Sequence, residues 1–372
     1  MKHRAFQKID DAMAGAVAEG VFPGAVLLCA HKDHIFYHKA FGVTDIRFGK
    51  PVAMNTVFDL ASLTKPLATA LAVADLISSE QLSLKTYLKD LLPAACGTDK
   101  AGITIDMLLR HRSGLPAHRP YFKSLSAPAP GVTAAECLRQ RVLEEPLAYK
   151  PGAREIYSDL GFILLAWVVE SLSGVRLDTF VNDRIFGPLK IYDLFFKPLG
   201  ADVTRPVGEK PSLVFAATSC CPWRKKMMLA EVEDENAWAA GGIEGHAGLF
   251  GTAAGVHRLC CEILMALDNK ETKVINSAVI RCFADKKNGM VRPAGFDSPS
   301  QGNASSGRFF SKRSVGHLGF TGTSFWIDPA NGLIAVLLTN RVHPSRENIA
   351  IRKFRPRIHD LIASIYMNNI LV

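Results

Sequence analysis

Apolar positions recur every three to four residues between 4 and 20, the spacing of an amphipathic helix. The pattern then changes. The segments "PGAVLLCA" (23–30) and "HIFYHKAFG" (34–42) read as two strands joined by the polar turn His31-Lys32-Asp33. From about 60 to 310 the chain is mostly helical and loop-rich, with apolar helical runs at 63–78, 104–110, 158–173 and 255–267. Breaks rich in Pro and Gly fall at 114–132, 150–153, 196–211 and 288–307. Strand patterns return in "HLGFTGTSFWID" (317–328) and "GLIAVLLTN" (332–340), joined by Pro329-Ala330-Asn331, and an amphipathic helix over 346–367 closes the chain. There is no internal repeat. This order predicts an α+β fold, a single domain over 1–372. Its antiparallel sheet, flanked by helices, would come from 1–60 and 310–372, and 61–309 would form an inserted, mainly helical part.

Composition narrows the classes. With 48% hydrophobic and 21% charged residues over 372 positions, the chain can bury a large core. The net charge of +9 gathers late, in "KKNGMVRP" (286–293) and "RENIAIRKFRPRIHD" (346–360). No stacking aromatics or reader motif accompany it, so it reads as a solvated basic face and no nucleic-acid partner is expected. Asp10, Asp11 and Glu19 interrupt any signal-peptide core. No stretch approaches the roughly 18 apolar residues of a membrane span. Eight cysteines include the vicinal pairs Cys220-Cys221 and Cys260-Cys261 but no CxxC, which fits reduced thiols and a cytoplasmic location. His31-x-x-His34 lies on a hairpin turn, and neither a metal nor a cofactor is expected. The chain has no Gly-x-Ser-x-Gly elbow and no phosphate-cradling Gly-x4-Gly-Lys loop.

The candidate chemistry starts in "DLASLTKPLATALAVADL" (59–76). Pro66 is tolerated only in a first helical turn, so Ser62 sits at a helix N-terminus, where backbone N–H groups favour developing negative charge. Lys65, three residues on, lies on the same face. Burial would lower its pKa and let it take the serine proton. A chain this long holds roughly one Ser-x-x-Lys by chance, so capping and catalysis both stand on this motif alone. Tyr157-Ser158-Asp159, before the apolar run 158–173, adds a phenol able to share the proton and a carboxylate able to orient Lys65. The alternative is an ordinary loop–helix junction capped by Ser158 or Asp159. In "GHLGFTGTSFWIDP" (316–329) the Phe320 N–H could pair with that of Ser62 as an oxyanion hole; the alternative is a glycine-containing edge strand.

These residues, in this order, resemble the three motifs of the serine β-lactamase and penicillin-binding-protein superfamily: Ser62-Leu-Thr-Lys65, Tyr157-Ser-Asp159 and His317-Leu-Gly319. The segments 22–28, 108–116, 234–252 and 320–329 extend the resemblance, which is strongest to the class C-like branch of esterases, D-amino-acid peptidases and DD-carboxypeptidases. It implies Ser62 as acylated nucleophile, Lys65 and Tyr157 as its proton carriers, the Ser62 and Phe320 backbone as oxyanion hole, and His317, Gly319 and Asp159 at the substrate. Two departures stand out. The family's second motif commonly ends in Asn; Asp159 adds a negative charge that favours charged Lys65 and weakens it as a base. The third motif of true β-lactamases is Lys-Thr/Ser-Gly; here His317 titrates and Leu318 offers no hydroxyl. Both weaken the case for β-lactam hydrolysis and favour a small ester or amide. D-amino-acid peptidase, DD-carboxypeptidase or weak β-lactamase activity is the alternative, and a non-catalytic binding protein a further one. If protonated His317 holds an anionic substrate group, KM should rise between about pH 6 and 8. His246 lies in a segment that resembles one near the family's cleft, and either lines the pocket or is structural. His111 and Ser113 read as residues that fix a loop.

Overall fold

The computed structural model describes residues 2–125, 132–200, 213–286, 292–300 and 304–367. The expected breaks at 114–132, 196–211 and 288–307, and the basic segment 286–293, lie partly outside these residues.

The strand patterns near the two ends meet in one sheet. Its spatial order is 34–42, 24–31, 333–339, 324–328, 315–318, each pair antiparallel. Leu28 opposes His38 on one side and Val336 on the other. Alternation assigns the faces. Val26, Leu28, Ala30, Ile334 and Val336 join the core shared with the helical part. Ala25, Leu27, Cys29, Ala335 and Leu337 pack beneath the first and closing helices, against Ile9, Met13, Ile358 and Ile362. Both faces are covered, which is why these strands read as continuous apolar runs. The fold is α+β, as the pattern predicts.

The expected strand over 317–328 is two strands, Val315–Leu318 and Ser324–Asp328. The turn between them needs its glycines. Gly322 has φ +113°, and a Cβ on Gly319 would lie 1.9 Å from Thr323 Oγ1 and 2.7 Å from the Leu60 carbonyl oxygen. Thr321 Oγ1 donates to the Asp59 carbonyl at 2.7 Å and Thr323 Oγ1 to the Leu60 carbonyl at 3.0 Å. These bonds fasten the turn to the chain entering Ser62.

That chain does not start as a simple α-helix. A 3-10 turn (Ala61–Leu63) leads into a π-helical turn (Lys65–Thr69) and then the α-helix Ala70–Ser78. Ala61 has φ +49°, a strained conformation for a residue with a Cβ. Buried Asp59 holds it: one carboxylate oxygen accepts the Ala61 N–H at 2.8 Å and the other the Glu233 N–H at 2.6 Å.

The helix Asp159–Ser173 is apolar nearly all round because it runs through the core, and Gly174 ends it at φ +72°. The closing helix is Ile351–Met367, not 346–367. Asn348 Oδ1 accepts the Ala350 N–H at 3.1 Å, and Arg346 is drawn off to Glu233 and Glu235. All eight cysteines are free. Among the described residues no single helix is long and apolar enough to cross a membrane.

Candidate active site

Ser62, Tyr157 and Phe320 line two cavities that meet at the Ser62 side chain. The smaller, about 310 Å³, is walled by His118, Asp159, Asp234, Glu235 and His246. The larger, about 870 Å³, is walled by Arg292, His317, Arg341, Arg352 and Arg355.

Lys65 is fully buried, and its Nζ meets three acceptors: Ser62 Oγ at 3.1 Å, the His246 carbonyl at 3.0 Å and Asp159 Oδ1 at 2.7 Å. An ammonium has three hydrogens, and here each has a destination. The rings of Tyr157 and Phe162 stand 5.0 and 5.8 Å from the same nitrogen. Burial opposes the charge, but Asp159 and then Tyr157 outweigh it and hold Lys65 above the ordinary lysine value. The expected lowering by burial is therefore reversed; pairing with Asp159 decides the sign. Burial also opposes charge on Asp159, yet Lys65 and then His118, whose Nδ1 is 3.6 Å from Asp159 Oδ2, hold its carboxyl well below the usual range. Burial raises the Tyr157 phenol above its ordinary value against the pull of Lys65, and Asp159 adds to the rise. At rest the cluster is ammonium, phenol and carboxylate.

His317 is buried, with its ring centroid 5.9 Å from that of Tyr157. Its Nδ1 is 2.9 Å from the Leu318 carbonyl, which can only accept, so Nδ1 carries the proton and Nε2 is the acceptor. Burial pushes its pKa down to about 4. His317 is thus neutral between pH 6 and 8, and the expected cationic grip on a substrate anion is corrected.

Phe320 lies in the turn, not in a strand, with its ring half exposed under the Arg341 guanidinium, 4.8 Å away. Arg341 Nη2 donates to the Phe320 carbonyl at 2.5 Å, which fixes the peptide plane of the turn. The Phe320 N–H, which lies outside any helix or strand, donates to no backbone carbonyl among the described residues. Gly319 places the turn against Leu60.

His246 lines the smaller cavity and supplies the carbonyl that Lys65 uses. Its Nε2 is 2.9 Å from Asp234 Oδ1. Burial lowers its pKa, but Asp234 outweighs that and raises it, while Asp234 is held at about 2, its own burial overridden by His246. The neighbouring Gly245 allows this approach, since a Cβ there would lie 2.1 Å from the Phe162 carbonyl oxygen. His111 Nδ1 accepts the Ser158 N–H at 3.0 Å, and its ring lies 4.5 Å from that of Tyr157, tilted by 36°. Ser113 Oγ accepts the Leu115 N–H at 3.3 Å. Both fix loops, as their positions predict. Asp59, His118, Asp234 and Arg341 escape a sequence reading, although Asp234 carries one signal: it caps the helix Glu235–Ala239 by accepting the Ala237 N–H.

Comparison with known proteins bears on the family and the fold. A protein from Escherichia coli K12 named "Putative D-alanyl-D-alanine carboxypeptidase" is 29% identical over 353 residues, 87% of this chain and 79% of the relative. The solved structure of "EstCE1, a hydrolase with promiscuous acyltransferase activity" superposes with a TM-score of 0.73 at 21% identity, covering 97% of this chain and 99% of that one. The octameric penicillin-binding protein homologue from Pyrococcus abyssi gives 0.70 at 20% identity, over 94% and 76% of the two chains. The family model described as Beta-lactamase matches residues 9–355, so the chain belongs to the Beta-lactamase family of serine hydrolases.

Proposed function

We propose that this protein hydrolyses small esters or amides through an acyl-enzyme on Ser62. The observation that supports this most is the position of the Lys65 Nζ, shared between Ser62 Oγ and Asp159 beside the Tyr157 ring. The resting cluster holds one proton too many to act as a base. The reactive form has lost that proton, shared between Lys65 and Tyr157 as a coupled pair. It accepts the Ser62 proton as Oγ attacks the substrate carbonyl. The tetrahedral oxygen is held by the N–H groups of Ser62 and Phe320. The proton then passes to the leaving alcohol or amine, and the same pair activates water to release the acid. Neutral His317 and alkyl Leu318 replace the cation and hydroxyl of the β-lactamase third motif, which favours esters over β-lactams.

A second reading, cleavage of D-amino-acid peptides, is favoured by the name of the curated relatives. One panel separates the two: short-chain p-nitrophenyl esters, nitrocefin and D-Ala-D-Ala peptides, each with wild type and Ser62→Ala. Ester turnover above the other two, lost in Ser62→Ala by at least about 10³-fold, supports the first reading. Peptide turnover above ester turnover replaces it with the second. Equal rates in wild type and Ser62→Ala overturn both.

A further inference from the structure

The two cavities at Ser62 differ in how their charges are met. In the smaller one the acids are partnered: Asp159 by Lys65, Asp234 by His246, Glu233 and Glu235 by Arg346. The larger one is lined by Arg341, Arg352, Lys353 and Arg355 with no carboxylate paired to any of them among the described residues. Its one acid, Asp297, is bound to Arg292. Arg355 is 6% exposed; one terminal nitrogen donates to the Gly319 and Thr323 carbonyls, and its Nε is buried with no partner. Arg341 is 8% exposed and donates only to carbonyls, those of Phe320, Arg346 and Asn348. Burial and then Arg352 lower the Arg341 guanidinium, with Glu233 pulling the other way, and Arg355 is pushed down to about 9 by burial and then by Arg341.

The closing helix sharpens the imbalance. Arg352, Lys353 and Arg355 all fall in its first five residues, where the helix dipole disfavours cations, and no acid sits in its first turn. A carbonyl shell can fix a guanidinium's geometry, but it leaves the charge. Buried cations of this kind are stable when a counter-charge arrives.

The geometry points to a site for a polyanionic group, carrying two or more phosphate or carboxylate charges, in the cavity between the 319–323 turn and the start of the closing helix. Because this cavity opens onto Ser62, and given the proposed acyl-transfer chemistry, the substrate's non-reacting end would be polyanionic. Phosphate esters and polycarboxylates share that chemistry.

Isothermal titration with inorganic pyrophosphate and with tricarballylate tests the site without relying on turnover. Both wild type and Ser62→Ala should bind at least one of the two at low salt. Arg352→Gln and Lys353→Gln change exposed side chains outside the proposed catalytic cluster. Each should weaken binding about three- to fivefold while the thermal melting of the variant matches that of wild type. Tighter pyrophosphate assigns a phosphate-bearing substrate; tighter tricarballylate assigns a polycarboxylate. Absence of binding by folded wild type, or affinity unchanged in the Arg352→Gln/Lys353→Gln double variant, overturns the site. Anion binding by a protein that is never acylated leaves the site standing and removes the proposed activity instead.

Discussion

At the scale of single residues, the sign of the charge on Lys65 governs the proposed chemistry. Its ammonium is held by Asp159, where the family commonly has Asn, and Asp159 also raises the Tyr157 phenol. Activity should therefore rise with pH as the cluster loses one proton. Asp159→Asn removes the charge that holds that proton, so the rising limb of kcat/KM should move to lower pH by about 1–3 units. A pH–rate series on both proteins checks this; superimposable limbs would show that Asp159 does not set the base. His317 leads to a different expectation. With its pKa near 4, KM should stay flat between pH 6 and 8, in wild type and in His317→Gln alike. Ser62, Lys65, Tyr157 and His317 were legible because each lies in a short motif with fixed spacing. The direction of the Lys65 shift was not, because burial and pairing act in opposite senses and only a 2.7 Å contact decides between them. Asp59 and Arg355 also reach partners far away in the chain, Glu233 and the 319–323 turn, which local spacing cannot reveal.

At the scale of elements, the turn after Val315–Leu318 does the positioning. Gly319 packs against Leu60, Thr321 and Thr323 tie the turn to residues 59 and 60, and Arg341 holds the Phe320 carbonyl. Gly319→Ala would force a Cβ into Thr323 Oγ1 and the Leu60 carbonyl, and in the proposed mechanism this shifts the Phe320 N–H that holds the oxyanion. The expected result is a loss of about 1–3 kcal/mol in stability, by denaturant melts, with kcat falling more than KM rises. A variant with wild-type melting and kinetics would remove the turn from the account. The apolar runs at 24–31 and 333–339 were easy to read, since strands covered on both faces lose their polar positions. The break within 317–328 was harder: Thr, Phe and Trp favour strands, and the close approach of Leu60 that demands Gly319 comes from elsewhere. The positive φ of Ala61 left no trace in composition, because Asp59 imposes it.

At the scale of the whole molecule, the first and closing helices cover one face of the sheet and the helical part covers the other, with Ser62 where that part meets the edge strand. The closing helix also buries His359, whose Nδ1 is 2.7 Å from the Ser305 carbonyl and whose Nε2 has no partner. Burial pushes its pKa down to about 4. The unfolded chain binds this proton near pH 6.5 and the folded one does not, so the stability His359 supplies is full above 6.5 and is lost as pH falls toward 4. The Tm difference between wild type and His359→Gln should accordingly shift against wild type on acidification; a constant difference from pH 7 to 4 would mean that His359 protonates equally in both states. The overall architecture was legible from the placement of strands near both ends. The two cavities were not, since their walls combine residues from widely separated segments between Ala61 and Pro356.

The central claim is that Ser62 carries the acyl group. Intact-protein mass spectrometry after incubation with a fluorophosphonate probe, followed by peptide mapping, tests it directly. The account predicts a single adduct on the peptide containing Ser62 in wild type and none in Ser62→Ala; equal labelling of the two proteins, or an adduct mapped to another residue, would contradict it.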